Sequence, residues 1–160
     1  EITPNSHAIQ QRLGLLRGIQ AGEGAQFFLL GREATESTLA ELAGISTFIH
    51  ANSTQEVAEK VHCFLQSNRL TAGQIDWFVT GKNGNSKEDT LYTDLENDLF
   101  PTATCSIFKN ECGEYPTASS FALWKVAKTF EENLNPGRTV LIYNHYHSIN
   151  HSLILIRKRQ

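Results

Sequence analysis

The chain has 160 residues, enough for one domain with a buried core, and its 14 Lys and Arg against 17 Asp and Glu give a formal net charge of −3. That balance excludes an electrostatic nucleic-acid binder, and no apolar run reaches the roughly 18 residues of a membrane span. The 3 cysteines, Cys63, Cys105 and Cys112, form no CxxC pair and no disulfide framework. With no signal peptide visible, they point to a reducing cytoplasm.

Residues 1–20 carry a mixed pattern, and His7 to Arg17 reads as a short helix or a packed loop. Residues 25–31 are a short apolar run after glycines, which predicts a buried strand. Leu39 to His50 alternates in part and predicts a long strand bent at Gly44. Ser53 or Thr54 caps a helix with Glu56 in its first turn, and Val57, Val61, Phe64 and Leu65 give it one apolar face. Ile75 to Thr80 is the next strand. A second helix covers 86–99, with Leu91, Leu95 and Leu99 on one side and Pro101 past its end. Ala103 to Lys109 is a strand. Residues 117–133 are a third helix carrying Phe121, Leu123, Trp124, Val126 and Phe130, and Asn135-Pro-Gly is a turn. Val140 to Tyr143 and Ser152 to Ile156 make a closing antiparallel hairpin with a long loop. The order β-β-α-β-α-β-α-β-β predicts an α/β fold, one mixed sheet with helices packed on its faces. Three loops follow strands, 81–89, 109–116 and 144–150, and such loops carry function when they meet at one end of a sheet.

Four segments carry a resemblance, in order along the chain. Gly22-Glu-Gly-Ala25 precedes the apolar run Gln26-Phe-Phe-Leu-Leu30. Trp77-Phe-Val-Thr-Gly-Lys-Asn-Gly-Asn85 is followed by Asp89. Lys109-Asn-Glu-Cys-Gly-Glu114 leads into the small-residue helix start Thr117-Ala-Ser-Ser120. Val140 to Asn150 closes the chain with Ser152-Leu-Ile-Leu-Ile156. From Gly22 to Arg157 the chain resembles the C-terminal portion of the β-ketoacyl synthases of fatty-acid and polyketide assembly. The resemblance implies a thiolase-like half-fold over 1–160 as a single domain, part of a longer chain.

The resemblance also implies a site, with losses. Family members use a cysteine nucleophile and two histidines, which assist decarboxylation and stabilise the developing oxyanion. Lys109 and Gly113 hold the family's lysine and glycine places. Glu114 holds one histidine place, and Gly81, eight residues before Asp89, holds the other. The matched site residues are therefore Lys109, Glu114 and Asp89. No cysteine occupies the nucleophile position, which belongs ahead of the GEGA turn. Asn150 fits the last position of the family's closing loop, whose glycines are replaced here by bulkier residues.

Each of these residues also has a plainer reading. An ionised Glu114 is an acceptor only; it pairs with Lys109, acts as an acid or base if desolvated, or faces solvent. Asp89 is a surface charge or helix-start contact, and the family position helps to hold the loop. Cys63 and Cys105 belong in the core, and Cys112 is a packed thiol or a pocket neighbour. Gly81 to Asn85 is a tight turn rather than a phosphate loop, because it lacks the Walker spacing. His145 and His147 fall on one strand face, which suits a metal in principle, with His151 nearby. No adjacent cysteine or carboxylate completes that set, so a hydrogen-bonded histidine loop is the simpler reading.

Three functions follow. The first is a non-catalytic ketosynthase-like subunit, a chain-length factor, that binds an active ketosynthase and an acyl carrier protein and shapes the acyl pocket. The second is an acyltransferase or condensing enzyme with altered residues. The third is a metal- or ligand-binding module built on the histidine loop. None of the first two implies a cofactor.

Overall fold

A computed structural model describes residues 19–51, 53–134 and 137–159. The expected helix or loop at 7–17 lies outside these, as does most of the turn at 135–137. The elements are β1 (Ala40–Ile49), α1 (Thr54–Ser67), β2 (Trp77–Thr80), α2 (Ser86–Asp98), β3 (Thr104–Ile107), the single turn α3 (Lys109–Cys112), α4 (Ala118–Glu131), β4 (Thr139–Tyr146) and β5 (Asn150–Lys158). A short 3₁₀ turn, Ala72–Gln74, leads into β2.

The strands form one mixed sheet in the order β1-β5-β4-β2-β3. β2 runs parallel to both β3 and β4, while β5 runs antiparallel to β4 and β1. Period-two alternation splits the central strands between two cores. Phe78, Leu141, Tyr143, Leu153 and Leu155 face α1 and α2, meeting Val57, Val61, Phe64, Leu65, Tyr92 and Leu95. Trp77, Val79, Val140, Ile142, Ile154 and Ile156 face α4, meeting Ala118, Ala122, Val126 and Phe130. The alanines of α4 let that helix lie close on the sheet.

Local chemistry fixes the helix starts. Ser53 Oγ accepts from Glu56 N–H at 3.2 Å and caps α1. Asn85 Oδ1 accepts from Lys87 N–H at 3.3 Å at the head of α2, where Glu88 and Asp89 favour the positive end of the helix dipole. A bulge between Leu42 and Gly44 bends β1 where the sequence placed a bend.

Four expectations are corrected. Residues 25–31 are not a strand: Phe27 is 94 % exposed and Leu29 102 %. An apolar run is buried only if a surface receives it, and among the described residues the sheet's edges are β1 and β3, with nothing paired beyond them. The long loop at 144–150 is also shorter than expected. β4 continues to Tyr146 and β5 begins at Asn150, leaving a tight turn. Cys63 is exposed because it lies beside, not on, the stripe Val57, Val61, Phe64 and Leu65. Cys105 is exposed because β3 is an edge strand.

The two kinds of leucine respond differently to truncation. Leu155→Ala in the sealed core lowers unfolding free energy by about 2–5 kcal/mol, whereas Leu29→Ala changes it by less than about 0.5 kcal/mol. Urea titration of the two variants measures both.

Candidate functional site

The parallel strands β2, β3 and β4 end side by side. Gly81 N–H donates to Tyr143 O at 3.0 Å and Phe108 N–H to Thr80 O at 3.2 Å, which holds the strand ends in register. The loops leaving them therefore meet at one end of the sheet.

Lys109 sits at the centre of that meeting. Its residue is 3 % exposed. Nζ donates to Glu114 Oε2 at 2.7 Å and to the His145 main-chain oxygen at 3.3 Å. Burial lowers the Lys109 pKa, and the adjacent Glu114 carboxylate opposes that shift. Glu114 Oε2 also accepts from Asn83 Nδ2 at 2.9 Å, while Glu114 Oε1 is buried without a partner. Lysine, glutamate and asparagine thus join loops 109–116 and 81–89 to strand β4.

Asp89 holds the loop 81–89. Its Oδ1 accepts from Asn83 N–H and its Oδ2 from Gly84 N–H, each at 3.0 Å. The turn Gly81 to Asn85 therefore binds the chain's own carboxylate. Gly84 takes a φ of 90°, which glycine adopts without strain.

Gly81 has no room for a larger residue. A Cβ built there would lie 2.1 Å from Asn144 Oδ1 and 2.9 Å from the Tyr92 hydroxyl. Asn144 in turn donates to Ser119 Oγ at 3.0 Å, next to the start of α4. The space beside Gly81 is filled from β4 and α2.

The segment 20–26 closes one side of the site. Glu114 N–H donates to Gln20 O at 2.8 Å and Gly22 N–H to Glu114 O at 3.1 Å. Gly22 lies flush on the Cys112–Gly113 backbone, where a built Cβ would come within 1.9 Å of the Cys112 oxygen. Between these parts lies a cavity of about 130 Å³ lined by Gln20, Asn83, Gly84, Lys109, Asn110 and Glu114. Cys112 is half-buried, and burial raises its thiol pKa, against the lowering effect of Tyr115 and Lys109.

The histidines divide. His145 and His151 are buried at 1 % and 2 % exposure, while His147 lies in the turn and not on the strand. The expected shared face of His145 and His147 is thus broken by the turn. Among the described residues no three His, Cys, Asp or Glu side chains converge as a metal set. The sequence had marked Lys109, Glu114 and Asp89, and the structure brings all three together through Asn83. It also adds Asn83 and Asn144, which lie in matched segments without an assigned role, and Tyr92, which lies in none.

Breaking the pair on one side strands a buried charge. Glu114→Ala costs about 3–5 kcal/mol of stability, because Lys109 loses its counter-charge, while the double variant Lys109→Met with Glu114→Leu lies within about 2 kcal/mol of the parent. A double-mutant cycle by chemical denaturation reads the coupling.

No family model matches the chain, and no curated protein matches it in sequence. Solved structures do match its fold. A PfaC keto synthase-chain length factor aligns with a TM-score of 0.70 at 15 % identity, over 81 % of this chain and 14 % of that one. AntDE:AntF, a type II PKS acyl-carrier protein in complex with its ketosynthase, aligns at 0.61 and 14 % identity, over 76 % of this chain and 39 % of that one. The 3-oxoacyl-[acyl-carrier-protein] synthase III from Aquifex aeolicus VF5 aligns at 0.54 and 13 % identity, over 78 % and 46 %. The chain spans less than half the length of each. Among the described residues no helix is long and apolar enough to cross a membrane. The fold is the thiolase-like α/β fold of ketosynthases and chain-length factors.

Proposed function

We propose that this chain is the C-terminal region of a non-catalytic, ketosynthase-like subunit of polyketide or fatty-acid assembly. It works in the cytoplasm, pairs with an active ketosynthase, and helps to shape the pocket that receives an acyl chain from an acyl carrier protein. The observation that carries this reading is Glu114. It stands where the resemblance calls for a histidine donor, and it is held by Lys109 Nζ at 2.7 Å. A carboxylate in that place accepts hydrogen bonds and repels an oxyanion.

Gly81 supports the same reading. The second histidine position carries no side chain, and its space is taken by Asn144 and Tyr92. Removing one preorganised oxyanion donor costs about 10²–10³ in rate, so the absence of two leaves little to measure. Lys109, Glu114 and Asp89 then act as organisers of the loop cluster. The names of the matched structures, a keto synthase-chain length factor and a ketosynthase in complex with its acyl-carrier protein, agree with that assignment of partners.

The test uses the full-length protein with malonyl- and acyl-loaded carrier protein, with and without an active type II ketosynthase. Condensation is expected only in the mixture. Condensation by the isolated protein would exclude the partner-subunit reading and favour a condensing enzyme with altered residues. Glu114→His leaves the isolated protein inactive, because position 81 still lacks a donor. Gly81→His fails on stability as well, since its side chain must displace Asn144 and Tyr92; a lowered midpoint in thermal denaturation reports it.

A further inference from the structure

The turn that closes β4 onto β5 has an unusual composition. His147 and Ser148 are both left-handed, with φ of 54° and 52°. Glycine and asparagine take this conformation more readily than either residue found here. A ring braces it. Ser148 N–H donates to His145 Nδ1 at 3.3 Å. Nδ1 therefore carries a lone pair, and the neutral ring holds its proton on Nε2.

That ring is deeply buried. His145 pairs directly across the strands with His151, and the ring centroids lie 5.7 Å apart. His151 Nδ1 lies 2.8 Å from the Tyr143 hydroxyl, and its ring stacks on Phe48. Neither Nε2 makes a well-formed hydrogen bond, although the Glu88 backbone lies near the His145 ring and the Ser148 backbone near the His151 ring. His145 also touches the site through its backbone: its N–H donates to the Tyr92 hydroxyl at 2.9 Å, and its carbonyl accepts from Lys109 Nζ.

The groups that face His145 come from every neighbouring element. Tyr92 stacks on it from α2, Tyr143 lies on its own strand, His147 is in the turn, His151 is on β5, and Lys109 is on α3. The Glu114 carboxylate is engaged by Lys109. Burial, then Lys109, His151 and His147, hold the ring's pKa down to about 4, and only the Glu88 backbone favours its charged form.

We propose that the β4–β5 tip is an acid-labile clasp beside the Lys109–Glu114 site, released by one proton on His145 Nδ1. That proton would set two donors face to face, ring N–H against Ser148 N–H, and add a charge next to Lys109. The turn loses its brace, and the His145 carbonyl leaves Lys109 as the tip moves. The open form carries one proton more than the closed form between pH 6.5 and about 4. Opening therefore becomes more favourable by about tenfold for each pH unit of acidification across that window and levels off below it. The inference rests on the turn's geometry, not on the proposed role in acyl assembly.

Amide hydrogen exchange on the full chain, corrected for intrinsic rates, tests it from pH 7 to pH 4. Protection of the Ser148 and Ile149 amides is expected to fall about tenfold per unit below pH 6.5, while Val61 and Leu65 in α1 hold theirs. His145→Asn keeps an acceptor without a titrating ring and is expected to flatten the response. Constant tip protection, an equal fall in α1, or an unchanged fall in His145→Asn would overturn the proposal. Should that variant not fold, ¹⁵N chemical shifts of His145 in the parent chain decide: a lone pair on Nδ1 at pH 7 supports it, and a ring that titrates near pH 6.5 with the tip still protected refutes it.

Discussion

One buried ammonium organises this end of the molecule. The Lys109 side chain is 1 % exposed, and an isolated charge taken so far from water costs several kcal/mol. The cost is offset only if acceptors surround it. Glu114 supplies one from the same loop, and the His145 carbonyl supplies another from β4. Glu114 then needs donors, and Asn83 provides one from the loop after β2. Asp89 in turn holds the Asn83 and Gly84 amides. A single positive charge thereby fixes the positions of two loops and a strand end that the chain connects only at a distance.

That arrangement has a chemical consequence. A site that stabilises developing negative charge needs donors with nothing else to do. Here the strongest donor, Lys109, is committed to a carboxylate. Gly81 completes the exclusion, because its lack of a side chain lets Asn144 and Tyr92 close over the strand end. The same small residue that would remove a catalytic group also permits the packing that replaces it.

The sheet and its helices were legible because their signals are local and redundant. Phe78 against Trp77 and Val79, and Leu141 against Val140 and Ile142, declare two faces by alternation alone. The Lys109–Glu114 pair was legible too, since opposite charges five residues apart around Gly113 can fold back on each other; Gly113 takes a φ of 75° to allow it. Residues 25–31 misled because hydrophobicity records a demand for burial, not the presence of a partner. The hairpin misled for the opposite reason. Asn144, His145 and His151 read as polar loop letters, yet they are buried at 4 %, 1 % and 2 % exposure, with aromatic stacking and the opposing strand as their environment. Asn83 was visible only as a member of a matched loop and Tyr92 not at all, because their roles exist only once separate loops have met.

Two buried histidines so close to the site invite the thought that they stand in for the two that the resemblance would put at positions 81 and 114. Their bonding argues against it. His145 Nδ1 is occupied by Ser148 N–H and His151 Nδ1 by the Tyr143 hydroxyl. The nitrogens left over sit within the layer of Tyr92, Tyr143 and Phe48, on the α1–α2 side of the sheet. The cavity beside Lys109 is lined by Gln20, Asn83, Gly84, Lys109, Asn110 and Glu114, with neither histidine among them. A donor must face the reacting oxygen at about 3 Å to act on it. These rings face the core, so what they give the site is support for the strand that carries the Lys109 acceptor. What the two imidazoles do show is packing against each other and bonding within the β4–β5 hairpin.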